Sequence, residues 1–561
     1  MSVSTRDERL AFSPLIAVFF VSFIFLFLLM PRTPSIYDEG LIVTGAMRVA
    51  AGEVPHRDFY TPYGPAQFYL LAGLFKLFGS TLLVERLYDL FIRSTLLTVI
   101  FAVASLFCRR IVACGVYAVA FMWIFAVGVN FASPLQPVSL LNFVTLFLIL
   151  PVFQRSVSKR RLLFAGMFAG ISFLFRYDTG IALSVVSAIT FVAACYANEG
   201  TLAERTKTFA TMYGMYLLGS MIAVVPAFIY FLSVAPLHSF LFDIVEYPGK
   251  NYYRGRGLPF PALHLRQLGG LAVYTPIFVS LTAIIASLSS PIAQEKRFAI
   301  MISGLKRDRW RALLFTFGSI AFAMYFKGYV RVHPIHMYLS LLPSIMLLGV
   351  LFQFRTQLPK VLNSVVSSLI VLSALGSVGG TLSEGKMLIH HHATLAPSSL
   401  YTSLERDWCK VPAPLTRGGV CFTPDDDDRI QVIEFLNTHT TPNQALFEAN
   451  SHNDVAFAND SLMYFASGLM PATHWSQFDP GLQNSLPIQT DMIQELDKKK
   501  PPYIVLDNEF DLVREPNDSW RSSGVYLLDN YIHSNYTNVA KFGRFAIWQR
   551  IDAAKLPSDG E

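Results

Sequence analysis

Charged side chains are scarce in this sequence, and cysteine is scarcer still. Asp, Glu, Lys and Arg make up 15% of its 561 residues, against roughly 25% in an ordinary soluble domain. Five cysteines in so long a chain exclude a disulfide-framework protein. No Walker A pattern occurs, so the sequence gives no indication of ATP-driven transport.

Long apolar runs dominate instead, in blocks of about 15–25 residues that can cross a hydrocarbon core about 30 Å thick. They exclude a soluble enzyme and a disordered chain, and they predict an α-helical polytopic membrane protein. The first block indicates an uncleaved anchor rather than a signal peptide, because no small-x-small cleavage site follows it. We expect about eleven transmembrane helices, at 15–30, 88–108, 111–130, 138–153, 162–176, 181–197, 209–234, 271–289, 312–326, 337–353 and 361–380.

Lys and Arg are distributed unevenly among the connections between these blocks. Every second connection is short and almost purely basic, at residues 109–110, 155–161, 205–207, 296–311 and 355–360. Because basic loops stay on the cytoplasmic side, we expect a cytoplasmic N-terminus and an exterior C-terminal tail, in a bacterial inner membrane. The small net charge of +6 lies largely in these loops and so indicates topology, not nucleic-acid binding.

The composition becomes more polar near residue 381. This change in composition predicts a transmembrane domain at 1–380 and a small exterior α/β domain at 381–561. Cys409 and Cys421 both fall in this tail, where an oxidising compartment would let them form a disulfide. The tail carries signals for one helix and three strands, at 429–436, 445–447, 503–506 and 545–548.

The first exterior loop, residues 32–87, is more than a connector. It holds two amphipathic stretches, and we expect both to lie as helices at the membrane surface. Three acids in the loop are candidate catalytic residues: Asp38, Glu39 and Asp58. The alternative for Asp38 is a capping box with Ser35, and the alternative for Asp58 is a loop cap or an ion pair with Arg57.

The motifs of this loop resemble those of the GT-C membrane glycosyltransferases. The match is concentrated in residues 36–80, which read Tyr-Asp-Glu-Gly and then Gly-Glu-Val-Pro-His-Arg-Asp-Phe and Tyr-Gly-Pro. The branch concerned contains the protein O-mannosyltransferases, the aminoarabinose transferases of lipid A and the Rgt-type galacturonosyltransferases. The resemblance implies that Asp38 is the catalytic acid, either as general base toward the acceptor or as a ligand that helps to hold a divalent metal ion.

The resemblance also implies a reaction. A sugar would pass with inversion from a polyprenyl-phosphate donor to an exterior lipid, glycan or protein acceptor. A lipid-linked donor agrees with the topology, because nucleotide sugars stay in the cytoplasm whereas the proposed site faces outward.

Cations for the donor phosphate are available at three outer corners. Arg176, followed by Asp178, could hold a lipid phosphate, although an Arg–Asp pair that caps a helical hairpin is the alternative. The other two corners are the 235–270 loop and the end of a later span, and the candidates there are Tyr247, Lys250, Tyr253, Arg254, Arg256, Lys327, Arg331 and His336. For the loop, the alternative is an interfacial aromatic belt.

Two other classes of protein are alternatives to an enzyme. A transporter or flippase of a lipid-linked or polar glycan would carry its charges near the bilayer midplane and would show matching halves. Here the charges gather at the outer ends of the predicted spans, and the halves do not match. A non-catalytic assembly subunit would tolerate the loss of Asp38. Within the second span, Arg86 and Asp89 have the spacing of an internal ion pair.

Overall fold

The structure is a computed structural model. It describes residues 12–30, 34–126, 132–154, 157–262, 268–289, 298–333, 335–392 and 426–552, together with Arg417, Val420 and Phe422. Cys409 and Cys421 lie outside the described residues, so the predicted disulfide stays a prediction.

Helices make up most of the chain before residue 393. They are α1 (Phe12–Leu28), α2 (Asp38–Ala50), α3 (Pro65–Phe78), α4 (Leu82–Phe107), α5 (Arg110–Ala126), α6 (Leu135–Ile149), α7 (Lys159–Phe175), α8 (Tyr177–Ala197), α9 (Leu202–Val234), α10 (Leu237–Leu241), α11 (Tyr253–Arg256), α12 (Leu268–Leu288), α13 (Phe298–Arg307), α14 (Arg309–Gly328), α15 (Tyr338–Phe354) and α16 (Lys360–His392). Short 3₁₀ segments lie at Leu150–Phe153 and Arg355–Gln357, and π-helical turns at Phe242–Glu246 and Pro248–Tyr252.

Six of the described helices are long and apolar enough to cross a membrane. They are Leu82–Phe107, Leu135–Phe153, Tyr177–Ala197, Leu202–Val234, Tyr338–Gln357 and Lys360–Ser377. Shorter apolar helices overlap the predicted spans at 15–30, 111–130 and 271–289, and α7 and α14 overlap the remaining two. The chain is therefore an α-helical protein with several helices fit for a membrane, and the count of eleven spans stays a prediction.

Small residues let α7 and α9 pack closely. A Cβ at Gly166 would lie 1.8 Å from the carbonyl oxygen of Tyr216, and one at Gly219 would lie 2.0 Å from that of Leu163. Ser220 adds a hydrogen bond from Oγ to the Gly166 carbonyl at 2.9 Å. Close approach through glycine and serine is typical of membrane helix pairs, which lack a hydrophobic driving force between them.

The tail contains a five-stranded mixed sheet. Its strands are β1 (Ala445–Asn450), β2 (Met470–Pro471), β3 (Tyr503–Asp507), β4 (Tyr536–Phe542) and β5 (Phe545–Arg550), in the order β2-β1-β3-β5-β4. Strand β1 runs parallel to β2 and β3, whereas β5 is antiparallel to β3 and β4. The helices of the tail are α17 (Asp427–His439), α18 (Leu462–Ser467), α19 (Leu486–Lys499) and α20 (Leu527–Asn535).

These elements confirm the predicted helix and the three predicted strands of the tail. The division of the chain into domains at residue 380 stays a prediction. Helix α16 continues through that boundary to His392, although Gly379, Gly380 and Gly385 lie in this part of it. No proline occurs there to end the helix.

The segment between α1 and α4, predicted to be the first exterior loop, packs against the tail. Ten of the thirteen residues of α2 are buried, and the backbone N–H of Leu462 in α18 donates to the carbonyl of Ile36 at 3.0 Å. Gly40 permits this approach, since a Cβ there would lie 2.5 Å from the Leu462 nitrogen. Residues of α3 and α18 cover the apolar residues of α2, and the position of α2 at a membrane surface stays a prediction. Helix α3, by contrast, leaves Leu77 and Phe78 exposed.

Candidate active site

Asp38 is the first residue of α2 and is partly buried. Burial raises the pKa of its carboxyl group; the nearby guanidinium groups of Arg256 and Arg331 act in the opposite direction, and the carboxyl of Asp479 adds to the increase. The helix has Tyr37 as its N-cap, so Ser35 is not the N-cap that the capping-box alternative requires. Asp38 therefore stands among two arginines and a second acid.

Glu39, one residue later, has different surroundings. It is fully buried, and Arg86 of α4 donates to both of its carboxylate oxygens, at 2.8 and 3.0 Å. The backbone N–H of Ser35 donates to it as well, at 3.0 Å. Successive helix residues point about 100° apart, which lets the two acids serve different purposes. Glu39 anchors the start of α2 to a membrane helix.

This contact also replaces the ion pair that the sequence suggested within α4. Arg86 bonds to Glu39, and Asp89 pairs with Arg93 one turn further along the same helix. The i,i+4 spacing of Asp89 and Arg93 favours their pairing, whereas the partner of Arg86 lies on another element and could not be found from local spacing.

Arg256 links the loop after α9 to the start of α2. Its Nη2 donates to the hydroxyl of Tyr37 at 3.0 Å and to the carboxylate of Asp479 at 2.9 Å. Its guanidinium lies between two rings, 5.4 Å from the centroid of Tyr37 and 5.2 Å from that of Phe457. The side chain is almost completely buried, so its charge and its orientation are both fixed.

Asp479 in the tail is the residue that sequence reasoning missed. It receives hydrogen bonds from Tyr37, Tyr60 and Gln477, at 3.2, 3.2 and 2.9 Å, besides that from Arg256. A single acid in a loop carries no motif, so only the fold reveals that it faces Asp38 from a position 441 residues away in sequence.

Arg331 is held by the tail in the same way. It donates to both carboxylate oxygens of Glu515 and, through Nη1, to the carbonyl of Arg256 at 3.1 Å. Asn517 donates to the carbonyl of Gly257 at 3.0 Å. The segment 515–518 thus fastens together the end of α11 and the loop after α14.

Further cations lie at the ends of apolar helices. Arg176, the N-cap of α8, pairs with Asp178 at 3.0 Å. Lys327 lies one residue before the end of α14 and interacts electrostatically with both. Among the described residues it has no hydrogen-bond or ion-pair partner. Lys327 thus presents a side-chain nitrogen that a bound anion could engage without breaking an existing bond, and the anion would favour its protonated form.

Neutral side chains connect these cations with Asp38. Burial raises the pKa of Tyr63, and Asp38, Arg176 and Tyr252 are among the groups that act on it. Burial and the cations Lys327 and Arg331 lower the pKa of His336 to about 2, so its imidazole is neutral. The structure therefore brings four basic side chains close to Asp38 and His336. These four, Arg176, Arg256, Lys327 and Arg331, are here called the cation cluster.

Other candidates from the sequence have different contacts. Asp58 pairs with Arg57 and accepts from the Val54 N–H at 2.7 Å, contacts that belong to its own turn. Lys250 pairs with Glu246 on the surface.

The remaining candidates belong to the loop after α9. The hydroxyl of Tyr247 donates to the carbonyl of Pro480 at 3.0 Å. The side chains of Tyr253 and Arg254 are exposed. No group of three or more His, Cys, Asp and Glu side chains suited to a metal ion occurs among the described residues, and a divalent metal at Asp38 stays a prediction.

Comparison with known proteins identifies the fold. The crystal structure of ArnT from Cupriavidus metallidurans bound to undecaprenyl phosphate matches with a TM-score of 0.52 and 13% identity, over 97% of this chain and 98% of that chain. Its apo-state structure gives the same TM-score at 14% identity. The archaeal oligosaccharyltransferase AglB from Archaeoglobus fulgidus, in complex with an inhibitory peptide and a dolichol-phosphate, matches with a TM-score of 0.46 and 12% identity. This match covers 97% of this chain and 75% of that chain.

No protein-family model and no curated protein matches the sequence. ArnT, an aminoarabinose transferase, belongs to the GT-C superfamily. The likeness over nearly the whole of both chains shows that this protein has the GT-C fold, as the motifs of the first loop indicated.

Proposed function

We propose that this protein is an integral membrane glycosyltransferase that transfers a sugar, with inversion, from a polyprenyl-phosphate donor to an acceptor hydroxyl on the exterior side. The observation that carries the proposal is the position of Asp38, a carboxyl group of raised pKa, within the cation cluster. The GT-C fold supports it, since the matching ArnT structure is bound to undecaprenyl phosphate.

Asp38 is the general base of this reaction. The acceptor oxygen forms a bond to C1 of the sugar, the bond from C1 to the phosphate oxygen breaks, and the acceptor proton passes to the Asp38 carboxylate. A pKa above the ordinary aspartate value makes the ionised form of this carboxyl group a stronger base. The leaving group is polyprenyl phosphate.

The cation cluster binds that leaving phosphate. Arg176 lies between the end of α7 and the start of α8, and Lys327 lies in the last turn of α14. Both α7 and α14 begin with basic residues, so Arg176 and Lys327 lie at the opposite ends of these helices. Charge that develops on the phosphate oxygens needs cationic donors held in place beforehand. Lys327 can meet a phosphate directly, whereas Arg256 and Arg331 hold the surrounding framework through Asp479 and Glu515.

Glu39 and Asp479 are positioning residues in this proposal. Glu39 fixes the helix start that carries Asp38, and Asp479 fixes Arg256 and Tyr37 beside it. Asp58 contributes to the 54–58 turn.

The test is transfer by the purified full-length protein in nanodiscs, with a panel of polyprenyl-phosphate sugars labelled in the sugar. We expect one donor to yield labelled acceptor and free polyprenyl phosphate in equal amounts. The same panel is added to the protein in sealed vesicles. Movement of the label across the vesicle membrane with the donor left intact, and no transfer in nanodiscs, would establish a flippase and would overturn the proposal.

A further inference from the structure

A cavity lies in the tail, beside the cation cluster. It has a volume of about 310 Å³, which is at the lower end of the range of small-molecule sites. The residues that line it include Asn450, His452, Asp454, Phe457, Phe510, Asp511, Arg514 and Tyr526. Nothing in the proposed transfer chemistry uses these residues.

The sheet explains the position of this cavity. Asn450 and Asp507 are paired at the carboxyl ends of the parallel strands β1 and β3, and the cavity is lined by Asn450 and by the segment that follows β3. Crevices at the carboxyl ends of parallel strands are the usual ligand sites of open α/β sheets.

One buried acceptor in the cavity, Asn450 Oδ1, has no partner, and the carboxyl group of Asp454 lies in the same wall. Asn450 is 3% exposed, and Asp454 is 7% exposed. Both are hydrogen-bond acceptors that a ligand rich in hydroxyl groups would satisfy.

Aromatic rings form the other part of the wall. Phe457 and Phe510 lie with ring centroids 5.7 Å apart, and Tyr526 is half exposed beside them. Ring faces beside carboxylate, amide and guanidinium groups match a sugar, which presents C–H faces and hydroxyl edges. Two acids and one arginine, Asp454, Asp511 and Arg514, leave no surplus of positive charge for an anionic ligand.

The cavity is connected to the cation cluster at two points. The ring of Phe457 lies 5.2 Å from the Arg256 guanidinium. Phe510 and Arg514 precede Glu515, the partner of Arg331, in the same segment. A ligand in the cavity would therefore lie next to the groups that surround Asp38.

We propose that this cavity binds a neutral sugar residue of the acceptor, so that the acceptor is a glycan. This inference rests on the proposed transfer reaction for its biological meaning, but binding itself can be tested without a donor. The bound residue would hold the acceptor glycan while a hydroxyl group further along it reaches Asp38.

The probes are the methyl glycosides of glucose, galactose, mannose and N-acetylglucosamine, added to the full-length protein in detergent and observed by saturation-transfer difference NMR and calorimetry. We expect at least one to bind, and Asp454→Asn to weaken it tenfold or more. Arg514→Gln, at an exposed position, serves as a second variant and should weaken binding as well. Asp491→Asn, an exposed acid of α19, is the control and should bind normally.

Binding of none of the four sugars, or equal binding by wild type and both variants, would overturn the inference. Asp38→Asn should bind the sugar normally whatever its effect on transfer. If Asp454→Asn transfers sugar with an unchanged acceptor KM, the proposed sugar site is refuted and the proposed transfer reaction is not. Sugar binding that depends on Asp454, without any transfer, would refute the proposed reaction alone.

Discussion

Arg86 donates two hydrogen bonds to Glu39, from Nε to Oε1 at 2.8 Å and from Nη2 to Oε2 at 3.0 Å. Both side chains are buried, and the pair joins membrane helix α4 to the first turn of α2. Asp38 precedes Glu39 directly, so this ion pair fixes where the proposed base stands.

Glu39→Gln should therefore destabilise the protein and misplace Asp38. Breaking a buried pair from one side costs about 3–5 kcal/mol, because the other charge is left uncompensated. We expect a clear fall in Tm and in kcat. Glu246→Gln breaks the exposed pair with Lys250 and should leave Tm unchanged. An equal Tm for Glu39→Gln and wild type would show that the buried pair does not anchor α2.

Removing a positive and removing a negative charge near Asp38 should shift the pH profile of kcat/KM in opposite directions. Only the ionised carboxylate accepts a proton, so activity falls as pH drops through the Asp38 pKa. Arg331 lowers this pKa and Asp479 raises it. Arg331→Gln should therefore move the acidic limb to higher pH, and Asp479→Asn should move it to lower pH. Shifts in the same direction would contradict the assignment of the limb to Asp38.

Lys327→Ala should weaken binding of the lipid donor. Its ammonium group has no partner among the described residues and lies beside Arg176, so the phosphate loses a direct cation. We expect the donor KM to rise about tenfold with the acceptor KM unchanged. Lys541→Ala, which removes an exposed lysine of β4, is the matched control. A donor KM that is the same in Lys327→Ala and in the control would remove Lys327 from the phosphate site.

Asp507 should make the tail more stable at mildly acidic pH. Burial and the neighbouring carboxyl of Asp460 raise its pKa. Above its ordinary value of about 4 the unfolded chain has released this proton while the folded chain still holds it, so stability falls as pH rises through that window. Lowering the pH from 7 to 5 should therefore raise Tm, and Asp507→Asn should reduce that increase. A pH dependence identical to that of wild type would contradict this account.

The sequence predicted the elements of the site better than their contacts. Residue spacing and the first-loop motif made Asp38 a candidate, predicted helices α2 and α3, and placed Arg176 and Lys327 at the ends of predicted spans, because each depends on local pattern. Asp479 and Glu515 could not be found in this way. Both act through ion pairs with residues more than 180 positions away, and a single acid in a loop carries no local signal.

Glu39 shows the same limit. The sequence placed it beside Asp38 as a catalytic candidate, but a helix turns by about 100° per residue, and adjacent acids then face different neighbours. Only the position of Arg86 on α4 determines that Glu39 is enclosed. The burial of α2 likewise depends on α18, which lies more than 400 residues later in the chain.

The central claim is that Asp38 removes the acceptor proton. Single-turnover transfer should be measured for wild type, Asp38→Asn and the control Asp491→Asn, with the donor that the panel identifies and with donor binding measured in parallel. Loss of a general base typically costs 10²–10⁴-fold in rate. We predict a loss of that size for Asp38→Asn with donor binding retained. Transfer by Asp38→Asn at the wild-type rate would contradict the proposed mechanism.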